Sequence, residues 1–162
     1  MKASYAATTV YRDSGVVFND EPLPWIIFKS LFGMRSLEHF STELDRRHNS
    51  MAFVYQSVKV TGSPEAMPER LIAMRPVSKG VSSFAPSLLL GATPQWSSLA
   101  RSEDKSVHSV DCYVIHATDR HRVESTLWIE KKRLILRRVR QKIPFETGSY
   151  FKTFDYQNVE MQ

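Results

Sequence analysis

The chain has a few places where residue type and spacing could support chemistry. Cys112 is the only cysteine among 162 residues, and His116 follows it by four positions. On a strand the two share a face but stand about 13 Å apart, at about 3.3 Å per residue. A thiolate–imidazole pair needs contact near about 3 Å, so they form no dyad within one strand. His108 is displaced as far in the other direction, and Cys112 therefore reads as a small buried hydrophobe. His116, Asp119 and His121 surround a turn. Two imidazoles and a carboxylate would ligate zinc or nickel only if that turn folded them together, and the spacing matches no metal motif of defined geometry. Glu43 and Asp45 share a strand face, with Arg46, Arg47 or bases of the next strand as partners. No Gly-rich phosphate loop, nucleophile elbow or His-Glu zinc helix occurs. The expectation is a non-enzymatic protein with no metal and no cofactor.

The net charge of +5 comes from 22 Lys and Arg against 17 Asp and Glu. Lys131, Lys132, Arg133, Arg137, Arg138, Arg140 and Lys142 fall within twelve residues. A nucleic-acid surface would gather bases on one face with aromatic platforms between them. Here parity divides them, with Arg133 and Arg137 on one face and Arg138 and Arg140 on the other. The run itself holds no aromatic residue, although Trp128 sits on the preceding strand. The favoured reading is a solvated hairpin paired with Glu124, Glu130 and Asp155. An anionic membrane surface and a nucleic acid rank behind it.

The elements that position these residues are mostly strands. Length and a 42% hydrophobic content fit a single soluble domain, 1–162, able to bury a sizeable core without staples. No apolar stretch is long enough to cross a bilayer, and no secretory leader opens the chain. Residues 1–7 read as the remnant of an upstream helix. Thr8–Arg12 and Val16–Phe18 read as a hairpin around Asp13-Ser14-Gly15. Trp25–Phe28 begins an edge strand or a loop. Phe40, Thr42 and Leu44 alternate with Ser41, Glu43 and Asp45, and Met51–Tyr55 is apolar on both faces. Arg70–Met74 is expected as a short strand. Ser82 or Ser83 caps a short helix through Leu90, and Thr93-Pro94 starts a second through about Arg101, giving a helical insertion over 82–101. A four-stranded meander spanning 110–156 follows.

Several strands carry large apolar residues on both faces, notably Met51–Tyr55 and Cys112–Ile115. Either protein covers both faces, or one face curls around an apolar cavity beneath the short helices. Few covering elements are available, which favours the curved sheet.

Three segments give the chain a family resemblance. Phe40–Arg46 followed by Met51–Tyr55 is similar to a strand, arginine and aromatic strand of the LolA-like superfamily, the outer-membrane lipoprotein carriers and their exported relatives. Gly80–Leu90 resembles the internal lid helix of the lesser-known relatives. Val110–Ile115, Thr126–Glu130 and Leu136–Val139 resemble the hairpin in which a Leu-Trp-Ile-acidic strand precedes a strand ending in bases. The resemblance implies a mainly β (α+β) fold, a curved antiparallel sheet forming an incomplete barrel with a short helical lid over an acyl-chain cavity. It assigns Arg46 as the arginine that contacts the lid. The cavity and lid candidates are Phe40, Leu44, Met51, Phe53, Phe84, Leu88, Leu89, Trp96 and Trp128. The expected function is binding of lipid or lipoprotein acyl chains. An envelope protein-interaction or sensor module and a nucleic-acid binder using 131–142 are the alternatives. The resemblance also implies an exported protein, periplasmic or lipid-anchored, with an envelope protein as a further partner.

Overall fold

A computed structural model of the chain describes residues 1–20, 37–74, 84–92, 95–145 and 148–162. Alternating sequence builds the strands β1 (Val10–Asp20), β2 (Glu38–Asp45), β3 (Ser50–Tyr55), β4 (Val58–Gly62), β5 (Trp96–Val107), β6 (Val110–Asp119), β7 (Glu124–Glu130), β8 (Leu136–Phe145) and β9 (Gly148–Met161). They form one antiparallel sheet in the order β4-β3-β2-β1-β9-β8-β7-β6-β5. The sheet does not close into a barrel, so β4 and β5 are its edges. Two meanders meet where the first strand pairs the last, and Gln162 exchanges backbone hydrogen bonds with Val10. Among the described residues three short helices accompany the sheet: α1 (Lys2–Ala7), α2 (Met67–Met74) and α3 (Ala85–Leu89).

Register sorts the side chains by face. Ile115, Leu127, Val139, Phe154 and Val17 are successive cross-strand partners from β6 to β1, and they form one row of the inner face. Tyr156, Gly15, Phe40 and Tyr55 form a second row, and Tyr11, Leu44 and Met51 part of a third. These rows and the helices make the main core. On the outer face, Val114, Trp128, Arg138, Asp155 and Val16 form the alternate row. Val107, Cys112 and Val114 are buried there, apart from the main core. The two-residue β5–β6 turn places His108 and Ser109 at φ 49° and 63°, and His108 reaches Asp155 at 3.1 Å. Apolar residues on both faces of β6 thus reflect cover on both sides.

The structure corrects three sequence expectations. Asp13-Ser14-Gly15 is not a turn but the middle of β1, with a bulge against β9 between Ser14 and Gly15. Asp and Gly favour turns, yet both also occur where a strand bulges or another group approaches closely. A Cβ on Gly15 would stand 2.5 Å from Phe40 Cζ and collide with the Asp155 carbonyl oxygen. Gly15→Ala is therefore expected to cost about 1–3 kcal/mol, read as a lower urea midpoint.

Arg70–Met74 is helical, not extended. Met67, Leu71 and Met74 lie at helical spacing, and all three are buried. Finally, the residues from Trp96 to Arg101 belong to β5, not to a second helix. Leu99 pairs with Ala117 and Arg101 with Ile115, so the backbone ladder overrides the local cap signal at Thr93-Pro94. Among the described residues of 82–101, Ala85–Leu89 is helical, followed by Gly91 at φ 79°. Ser82, Ser83, Thr93, Pro94 and Trp25–Phe28 lie outside the described residues.

Candidate functional site under the short helices

Seven of the candidate residues come together. Phe40 and Leu44 on β2, Met51 and Phe53 on β3, Phe84 before α3, and Leu88 and Leu89 within it belong to one contiguous buried cluster. Phe84 packs on Phe154 with ring centroids 5.4 Å apart, and Phe40 meets Tyr156 edge-on at 5.1 Å. Tyr5 of α1 and Met67, Leu71 and Met74 of α2 complete the cover. Trp96 is partly buried and packs against this cluster from the start of β5. Trp128 does not join it. Leu127 faces the core, so parity turns Trp128 to the outer face beside Val114 and Arg138.

Arg46 directly follows β2. Its Nε donates to the Thr8 carbonyl at 2.9 Å, and its Nη2 donates to the Leu89 carbonyl at 2.6 Å. Thr8 caps the C-terminal end of α1, and Leu89 is the last residue of α3. Carbonyls at helix ends lack intrahelical partners, and a guanidinium supplies several donors in a fixed fork. One side chain thereby ties both helices to the rim of the sheet.

Beneath the helices lies a polar group that sequence reasoning missed. Asp13 is 4% exposed and faces inward between the Tyr11 and Gly15 rows. Tyr11 donates its hydroxyl to Asp13 Oδ2 at 2.7 Å, while Asp13 Oδ1 and the hydroxyl of its cross-strand neighbour Thr42 are buried without a hydrogen-bond partner. Burial pushes the carboxyl up to about 7, against the smaller opposing influence of Tyr11 and Thr42. Burial likewise raises Tyr5, Tyr11 and Tyr156, which remain neutral phenols. The strand parity Tyr11, Asp13, Gly15, Val17 was the available signal.

The basic hairpin is largely neutralised by its neighbours. Arg137 and Arg133 both bind Glu130, at 2.6 Å and 2.8 Å, and Arg138 binds Asp155 at 2.7 Å. Lys142 pairs with Glu124 at 3.2 Å and Lys131 with Asp104 at 2.9 Å. The expected carboxylates are therefore in place, and they offset the charge a polyanion would need. Near the turn after β6, His116 contacts Thr126, His121 contacts Arg120, and Asp119 accepts from the backbone N–H groups of His121 and Val123. Among the described residues no three His, Cys, Asp or Glu side chains converge as a metal site. Cys112 is fully buried, and its Sγ donates to the Val110 carbonyl at 3.3 Å.

The described residues thus form an open antiparallel sheet with short helices held over its inner face. Among solved structures the chain is similar to MucB, at a TM-score of 0.52 and 13% identity over 98% of this chain and 56% of that one. It thus spans little more than half of MucB. A lipoprotein of Mycobacterium tuberculosis, LppX, is similar at a TM-score of 0.46 and 12% identity, over 97% of this chain and 89% of that one. A LolA superfamily protein from Nitrosomonas europaea follows at 0.30 and 9% identity, over 99% and 90%. At 13% identity the likeness to MucB is one of fold. No protein-family model matches the chain, and no curated protein matches it. Among the described residues no helix is long and apolar enough to cross a membrane.

Proposed function

We propose that the protein binds acyl chains of lipids or lipoproteins between the inner face of its sheet and the helices α1 and α3, without catalysing a reaction. The observation that carries this reading is the Arg46 bridge, which holds two short helices over a largely apolar face by two hydrogen bonds. Phe40, Leu44, Met51, Phe53, Phe84, Leu88 and Leu89 supply that face, with Trp96 at its border. Burying a chain there yields about 0.8 kcal/mol per methylene, so apolar surface and a mouth suffice. Phe84 now rests on Phe154, and loading requires α3 to lift. Breaking the bridge releases it. The protein is placed in the bacterial envelope on this reading, periplasmic or lipid-anchored.

Titration with a fluorescent fatty acid tests the proposal. Wild type is expected to bind near one equivalent saturably, and Arg46→Ala to take up the probe faster. The variant also loses about 1–2 kcal/mol of stability, because charged donors to carbonyls contribute roughly that much at a partly exposed site. Absence of saturable binding in both proteins overturns the reading.

A further inference from the structure

We propose that Asp13 is a proton-controlled release for the helices above the inner face, closed when its carboxyl is neutral and loosened when it ionises. The proposal deepens the acyl-chain reading and rests on it for the purpose of the opening. A fully formed carboxylate needs several hydrogen bonds or a cation, and this one has one hydroxyl of full hydrogen-bond geometry, from Tyr11, with Thr42 beside it too weakly placed to offset burial. Its second oxygen is buried without a partner.

No cation faces the carboxyl from the packed elements among the described residues. β1 presents Tyr11, β2 presents Thr42, β9 presents Tyr156, and α1 presents Tyr5. The buried residues of α2 and of α3 are all apolar. Arg137 of β8 is felt at Tyr5 but is committed to Glu130. Glu38, at the edge of the inner face, accepts from Tyr55.

The carboxyl is also wired to the helices. Tyr11 holds Asp13 and packs its ring on Tyr5 of α1 at 5.6 Å. Tyr156 lies against the Ala85 backbone of α3. Water can reach an ionised Asp13 only if these covers move, and a charge denied water is costly in an apolar core. Raising the pH therefore favours the opened helices. With the carboxyl titrating at about 7 when covered and near its ordinary 3.8 when wetted, the opening equilibrium grows about thirtyfold from pH 5.5 to 8.5.

Hydrogen exchange read by mass spectrometry tests this on wild type and Asp13→Asn at both pH values, corrected for intrinsic exchange rates. In wild type, the segments 2–12 and 84–90 should lose roughly tenfold or more protection at the higher pH relative to β7. In Asp13→Asn the two segments should show no such change. A pH-independent wild type overturns the proposal, and so does an equal change in the variant. A parallel fatty-acid titration separates the two ideas: opening with no saturable probe binding upholds the release and sinks the acyl-chain reading.

Discussion

Replacing Glu130 by alanine is expected to cost about 3–5 kcal/mol, a large fraction of a domain's stability. Glu130 is 6% exposed and accepts from Arg137 at 2.6 Å and 2.9 Å and from Arg133 at 2.8 Å and 3.0 Å. Removing it leaves the Arg137 guanidinium, itself 8% exposed, buried without a counter-ion. A simultaneous change of both partners to leucine is expected to recover much of the loss, because an apolar pair leaves no stranded charge. Burial pushes the Glu130 carboxyl up, but Arg133 and Arg137 outweigh it and hold it below the usual range. Its contribution is therefore present at neutral pH and lost as acid titrates it through that lowered value. Urea unfolding of the single and double variants measures the cost. A single-variant loss below about 1 kcal/mol would contradict it.

Asp13→Asn is expected to have the opposite sign. The folded carboxyl titrates at about 7, above its ordinary 3.8, so the native state holds the proton more tightly than the unfolded chain. Wild type accordingly loses stability as the pH rises from about 4 to about 7 and regains none above it. At about 1.4 kcal/mol per pH unit the full interval sets an upper bound near 4 kcal/mol. Asparagine keeps the shape and never ionises. The variant should match wild type within about 1 kcal/mol at pH 4.5 and exceed it by about 2–4 kcal/mol at pH 8. Equal slopes of stability against pH in the two proteins would contradict the placement of this carboxyl. Comparing the two proteins cancels the groups that titrate in both.

How legible these features were depends on which interactions decide them. The pairing of the basic hairpin could be read from parity, since Arg137, Arg138 and Lys142 have acidic residues across the ladder or one position away. The apolar rows from Phe40 to Phe53 could be read for the same reason. Asp13 could not be read from local preference. Asp-Ser-Gly is turn chemistry, and only the pairing of β1 with both β2 and β9 keeps that stretch extended. β5 fails differently. Its exposed, charged sequence has no inward stripe, and its ladder partner β6 alone fixes it as a strand. Its bulges and its charges, from Arg101 to Lys105, protect it as a sheet edge. α2 was readable, because Met67, Leu71 and Met74 keep the helical spacing that two-fold counting overlooks. Trp128 illustrates the reverse error, in which residue type suggested the core and the alternation of its own strand excluded it.

On the proposed function, an acyl chain occupies the space that α1 and α3 now close under the Arg46 bridge. Native mass spectrometry of the protein prepared from cells, before and after organic extraction, tests it most directly. The expected result is a mass adduct of lipid size that extraction removes and that added fatty acid restores at one equivalent. A bare protein mass in both preparations, unchanged by added fatty acid, would contradict it.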